Sequence, residues 1–202
     1  MFQVRIHGRG GQGVVTAAEL LSVAAFDEGQ YAQAFPSFGS ERTGAPVVSY
    51  CRMDKKPIRT REPVAAPNAV VIQDVTLVHV VDLFAGLGPY GYVIINTSRT
   101  LTELGLDEVL QQQDRARVLC CPATEIALEC VGRAVPNAVL LGALAGLTGV
   151  VGIDSVAKAV RDRFEGDVGV RNAVAAHRAF DYAQEYTEHN NETVEMTHAS
   201  AA

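Results

Sequence analysis

Val4-Arg5-Ile6-His7-Gly8-Arg9-Gly10-Gly11-Gln12-Gly13, running without a break into Val14 to Phe26, is the stretch on which the fold turns. An apolar β-branched run, a glycine-dense turn and a helix-forming segment in that order spell strand, tight loop and helix N-terminus. Backbone N–H groups at such a helix start carry partial positive charge, and glycines let an anion approach closely. The loop can therefore hold a phosphate or carboxylate. It can equally be a tight strand-to-helix turn and nothing more, because G-x-G-x-x-G alone does not separate the two.

Two familiar phosphate loops can be tested against the flanking residues. A nucleotide P-loop needs Lys and then Ser/Thr after its last glycine, whereas Val14 and Val15 follow Gly13, so that reading fails. A dinucleotide fold wants an acid at the end of the second strand, roughly 20 residues past the glycines. Asp27 and Glu28 lie at that distance but fall at a helix end, and Tyr31 to Pro36 closes on no carboxylate. NAD binding has little support.

The 202 residues are 48% apolar and 20% charged with a formal charge of −6, which suits one compact α/β domain and argues against a nucleic-acid surface. Arg5, His7 and Arg9 interrupt the opening apolar stretch, so no signal peptide is expected and the location expected is cytoplasmic. The longest uncharged run, 134–153, carries Pro136, Asn137 and four glycines, and reads as a buried core helix rather than a membrane span. Cys51, Cys120, Cys121 and Cys130 form no C-x-x-C pair and lack a histidine at metal spacing, so no metal or cluster is expected on this chain. Cys120 and Cys121 precede Pro122 at a helix start and read as packing residues, not nucleophiles.

Periodicity predicts strands over 3–7, 47–53, 69–73, 92–96 and 117–120, and helices over 14–26, 76–85, 107–113, 122–131, 137–147, 154–164 and 171–186. Alternation of this kind implies a three-layer α/β fold: a mostly parallel sheet, helices on both faces and a Rossmann-like first βα unit. Ligands meet such sheets at the carboxyl ends of strands, where Asp74, Thr76, Asn96, Thr97 and Ser98 fall beside the glycine loop. One domain spans 1–186, and the polar segment 187–202 reads as a tail. Between them, 33–46 joins aromatics, prolines, glycines and the Glu41–Arg42 pair in one long connection, a composition suited to a ligand or subunit surface.

Several of these motifs together are more specific than the glycines. His7-Gly8-Arg9-Gly10-Gly11-Gln12-Gly13, Thr16-Ala17-Ala18-Glu19, Tyr31-Ala32-Gln33-Ala34-Phe35-Pro36-Ser37-Phe38-Gly39 with Glu41-Arg42 and Gly44-Ala45-Pro46, and Pro57-Ile58-Arg59 resemble the gamma subunit of 2-oxoacid:ferredoxin oxidoreductases. The wording Ala-Gln-Ala-Phe-Pro-Ser-Phe-Gly is closer to the pyruvate and ketoisovalerate branch than to the 2-oxoglutarate branch. The resemblance implies a complex that decarboxylates a 2-oxoacid on thiamine diphosphate and Mg2+, sends electrons through [4Fe-4S] clusters to ferredoxin, and releases an acyl-CoA. Phenylglyoxylate-like aryl substrates, and an acceptor subunit using FAD or NAD, stay open. Alpha, beta and delta-type subunits are the partners implied, with no nucleic acid and no membrane.

This chain lacks the reactive parts. Gly166-Asp167-Val168 misses the third glycine of the thiamine diphosphate signature and Asn172 follows too soon, so no catalytic residue is assigned. With the resemblance, the anion-ready loop implies a share of the coenzyme A site, with Arg9, Gly10, Gly11, Gln12 and Gly13 beside Ser40 and Arg42 taking its phosphates. A free-standing dinucleotide-binding oxidoreductase and a pure assembly scaffold are the competing readings.

Overall fold

The computed structural model describes the backbone of residues 1–37 and 44–200, and side chains within that span up to residue 190. Six strands form one mixed sheet in the order β2-β3-β1-β4-β5-β6: β1 Phe2–Arg9, β2 Tyr31–Pro36, β3 Pro46–Asp54, β4 Ala69–Ile72, β5 Tyr92–Asn96 and β6 Val118–Cys121. β1, β4, β5 and β6 are mutually parallel, and β3 runs against both β1 and β2. Only β3 is therefore reversed, and the predominantly parallel α/β sheet expected from the sequence holds. Because β1 leads away to β2 on one side while β4 leads to β5 on the other, the chain leaves a crevice between the carboxyl ends of β1 and β4.

Side-chain alternation divides the core in two. Val4, Ile6, Val71, Ile94 and Leu119 face a cluster to which all five helices contribute: α1 Val14–Asp27, α2 Ala123–Val131, α3 Asn137–Thr148, α4 Ile153–Arg163 and α5 Gly166–Ser200. Val70, Ile72, Val93, Ile95 and Val118 face the opposite way, onto Leu77, Leu83, Leu106 and Leu110. α3 is buried from Asn137 through Leu147, the core helix expected of the uncharged run. Its Gly142 and Gly146 lie against α5, where an added Cβ at Gly142 would enter the Ala176 carbonyl and one at Gly146 would stand 2.6 Å from the Phe180 carbonyl oxygen. α1 ends where Gly29, at φ 77°, lets the chain turn back, and Asp27 and Glu28 then tie that end to Lys158 and to the Gly152 N–H.

Four expectations are corrected. The helix expected over 76–85 is a 3₁₀ helix, Val75–His79, and 107–113 forms turns without a helix. The second face of the sheet is thus covered by a 3₁₀ helix and turns. Valines at 75, 78, 80 and 81 disfavour continued helix, and each segment is anchored by a few buried leucines, too few to offset helix nucleation. The opening of the long connection, 33–36, belongs to a strand: β2 pairs with β3 from Tyr31↔Asp54 to Pro36↔Ser49. Alanines at 32 and 34 carry its inward face and hid the alternation, and Pro36 is tolerated because β2 is an edge strand. Finally, α5 starts at Gly166 and continues beyond Tyr186 to Ser200, so the segment read as a tail is helical over 187–200.

Candidate functional site

The glycine loop closes over its own side chains. Gly11 and Gly13 take φ of 93° and 75°, the left-handed conformation that a Cβ would strain, and a Cβ on Gly13 would also stand 2.9 Å from Asn137 Nδ2. Gln12 folds back so that its Oε1 accepts from the Arg9 N–H at 2.7 Å while its Nε2 donates to Asp74 Oδ2 at 2.8 Å. Arg9 donates from Nε to the same Asp74 oxygen at 3.2 Å, from Nη1 to the Gly44 carbonyl at 3.0 Å and from Nη2 to Thr76 Oγ1 at 2.8 Å. Asp74 is the knot of this loop. Burial works against its charged form, but hydrogen bonds from Thr76 and Gln12 and the charge of Arg9 outweigh it, and the carboxyl sits below its usual range.

Not every amide expected to face a ligand is free. The Gly10 N–H donates to the Ala45 carbonyl and the Gln12 N–H to the Arg9 carbonyl, whereas Gly11 and Gly13 find no acceptor for theirs among the described residues. Ser40 and Arg42 lie outside the described residues. Gly44 and Ala45, which continue from them, are bonded to Gly10, so that connection returns to the loop's flank.

Beside the loop, at the crevice between β1 and β4, lies a cavity of about 350 Å³. Gln12, Gln73, Asp74, Asn96 and Thr124 give it polar groups, and Val75, Ala134 and Pro136 give it apolar walls. α1, α2 and α3 all begin at its rim, and none of their N-cap residues, Gly13, Pro122 and Pro136, supplies a side-chain cap. Asn96 takes one of the orphan donors, accepting from the Thr124 N–H at 3.0 Å while donating to the Gln73 carbonyl at 2.8 Å. Gln73 itself is 3% exposed, and neither Nε2 nor Oε1 has a partner among the described residues. Leaving such groups unmet costs about 1–3 kcal/mol each. The sequence placed Asp74, Thr76 and Asn96 on this edge, but Thr124 carries no motif. Thr97 and Ser98 turn instead to a second cavity, of about 590 Å³, with Arg99, Arg115, Tyr182 and Tyr186.

Reactive groups are scarce. Burial pushes the thiols of Cys51 and Cys121 up to about 12 and that of Cys120 to about 11, so none is a thiolate near neutrality. Among the described residues no cluster of His, Cys, Asp or Glu could hold a metal, and no helix is long and apolar enough to cross a membrane. Asp167, in the segment compared with the thiamine diphosphate signature, lies in the first turn of α5 and pairs with Arg171.

His7 is buried on the sheet face opposite α1, and burial first, then the charge of Arg5, lowers its pKa to about 3. The unfolded chain takes up that proton near pH 6.5 and the folded chain does not. Stability therefore falls as pH drops from about 6.5 towards 3, by up to about 1.4 kcal/mol per pH unit. Urea unfolding at pH 7 and pH 5 should show the parent losing about 2 kcal/mol more than His7→Gln across that interval. Equal losses would mean that His7 is not held neutral by the fold.

Comparison with known proteins gives consistent results. The family model described as pyruvate ferredoxin/flavodoxin oxidoreductase matches residues 3–182. The chain is 48% identical over 181 residues to pyruvate synthase subunit PorC of Methanothermobacter marburgensis, covering 90% of this chain and 97% of the relative. It is also 48% identical over 183 residues to the pyruvate/ketoisovalerate oxidoreductases common subunit gamma of Thermococcus litoralis, covering 90% and 96%. The crystal structure of pyruvate oxidoreductase subunit PORC from Thermotoga maritima superimposes with a TM-score of 0.76 at 32% identity, covering 89% and 95%.

Proposed function

Because this chain belongs to the pyruvate ferredoxin/flavodoxin oxidoreductase family, we propose that it is the gamma subunit of a multisubunit 2-oxoacid oxidoreductase of the pyruvate and ketoisovalerate kind. The observation that carries this reading is near-half identity over nine-tenths of both lengths with two subunits of that name. Alpha, beta and delta-type subunits are its partners in the cytoplasm, ferredoxin is the acceptor, and the product is an acyl-CoA. Thiamine diphosphate and the iron–sulfur clusters belong to those other subunits. The residues here do not fit either group: among the described residues no group of His, Cys, Asp or Glu is placed to hold a metal, and Asp167 is paired with Arg171.

The chain's own contribution is to the coenzyme A site. The N–H groups of Gly11 and Gly13, without an acceptor among the described residues, sit at the start of α1, where the helix dipole favours a phosphate, and Gly44, which follows the connection bearing Ser40 and Arg42, is bonded to the same loop. Arg9 acts one step back, because its guanidinium is directed to Asp74, Thr76 and Gly44 and keeps the loop in shape. Arg42 is left as the side chain that meets the phosphates, by a charge-assisted contact.

Replacing Arg42 by Ala in the assembled enzyme should raise the KM for coenzyme A about tenfold, equivalent to roughly 1.4 kcal/mol, and leave decarboxylation measured without coenzyme A unchanged. An unaltered coenzyme A dependence in a fully assembled variant would remove the site from this subunit. Failure to assemble would turn Arg42 into a subunit contact and favour the scaffold reading.

A further inference from the structure

We infer that the outer edge of β2 is a self-pairing surface: two copies of this chain join there antiparallel, Ala32 of each bonded to Ala34 of the other, so that two six-stranded sheets become one. The inference stands apart from the coenzyme A reading.

The two edges of the sheet are treated differently. β6 is guarded: the Tyr182 hydroxyl donates to the Cys120 carbonyl at 3.2 Å and the Tyr186 hydroxyl to the Val118 carbonyl at 2.8 Å, so α5 covers its open side. β2 has no such cover among the described residues. The Ser37 N–H donates to the Val48 carbonyl, so the odd-numbered residues of β2 turn their N–H and C=O groups to β3 and the even-numbered ones turn theirs outward. Among the described residues the outward groups of Ala32, Ala34 and Pro36 make no bond. Edge strands are ordinarily protected by charged side chains, and Tyr31-Ala32-Gln33-Ala34-Phe35-Pro36 has none. Such an edge is a template for another strand.

A second copy answers it in one register. With a two-fold axis at Gln33, Ala32 and Ala34 of one copy face Ala34 and Ala32 of the other, and every N–H and C=O of these alanines is met. Moving the axis by one residue asks Pro36, which has no N–H, or Gln30, whose N–H is already given to Ala25, to donate. Tyr31 then lies opposite Phe35 of the other copy, an aromatic cross-strand pair. Tyr31 is 50% exposed and Phe35 already stacks on Tyr50 with ring centroids 5.1 Å apart, so the row of rings continues across the axis. An uncharged strand brings no like charges together when it meets itself. Phe26, 71% exposed in the turn that leads into β2, adds apolar surface beside the contact. The self-matching register and ring pair favour a second copy over a strand from another subunit.

The register fixes the test. At the axis the two Gln33 residues form a non-hydrogen-bonded pair with Cα atoms about 4.5 Å apart, inside the roughly 4.4–6.8 Å that a disulfide spans. Assembled enzyme bearing Gln33→Cys and gently oxidised should therefore show this subunit linked to its own copy on a non-reducing gel. Tyr31→Cys, facing Phe35 of the other copy, and the parent with its own four cysteines should not. Free of any introduced thiol, the chain alone should be a dimer by light scattering. Tyr31→Lys should raise its dissociation constant about tenfold, because the ring pair is lost twice per dimer, while Tyr31→Phe should leave it within about twofold. Tyr31 is half exposed, so neither change reaches the core of the single chain. A monomeric parent, a Gln33→Cys enzyme that stays unlinked or links to a different subunit, or linking from position 31 as strong as from 33 would overturn the self-pairing edge.

Discussion

Gly142→Val should lower the melting temperature of this chain by about 6–12 °C, the shift expected of roughly 3 kcal/mol in a domain of this size. The origin is helix spacing. α3 is buried on every side between the sheet and α5, and its glycines at 142 and 146 let the α5 backbone approach at Ala176 and Phe180. A Cβ at 142 would meet backbone, which cannot rotate aside as a side-chain tip can, so α5 must lift away. Ala173, Ala176, Ala179 and Ala183, all buried on α5, would then lose their contacts with α3 as a set. Gly142→Ala should give a smaller fall of the same sign, and Gly88→Ala, where an added Cβ meets nothing, should leave the melting temperature within about 2 °C. A Gly142→Val variant melting with the parent would show that α3 and α5 are not held at backbone contact.

What could be read from the residues, and what could not, follows from how local each cause is. β1, its glycine loop and α1 were legible because Val4 and Ile6, the glycines at 8, 10 and 13 and the run from Val14 act within a few residues of one another. β5 was legible for the same reason: Tyr92 to Asn96 is a bounded apolar run. β2 was missed because its inward side chains are alanines, whose burial depends on α1 packing over them. The segments 76–85 and 107–113 carry helical spacing in a few leucines, but the folded chain needs from them only the contacts of Leu77, Leu83, Leu106 and Leu110 with the sheet. The length of α5 past Tyr186 was hidden by a polar sequence with little periodicity.

The site divides in the same way. A glycine-rich loop, Asp74, Thr76 and Asn96 could be placed on one edge because each follows a strand or precedes a helix. That Arg9 and Gln12 would both turn to Asp74, or that Gln73 would be buried with nothing to bond, depends on packing between elements more than 60 residues apart in sequence. The motif resemblance reached further than periodicity because it draws on the pattern of many chains. It pointed to the family through 7–46, although part of that stretch is an edge strand.

The central claim is that this polypeptide works only within its assembly, lending backbone N–H groups and a positioned loop while its partners hold the reactive centres. The most direct measurement is 2-oxoacid-dependent ferredoxin reduction, followed with and without coenzyme A, on three preparations: the chain alone, the companion subunits alone, and the reconstituted complex. The chain alone should be inert, since burial keeps Cys51, Cys120 and Cys121 protonated and the described residues offer no ligand set for a metal. The companions alone should lose acyl-CoA formation by at least a hundredfold, because on the proposed role removing the chain removes the phosphate contacts together with the assembly. Adding the chain back should restore it. Turnover of pyruvate or reduction of NAD by the isolated chain, or full coenzyme A-dependent activity without it, would contradict the account.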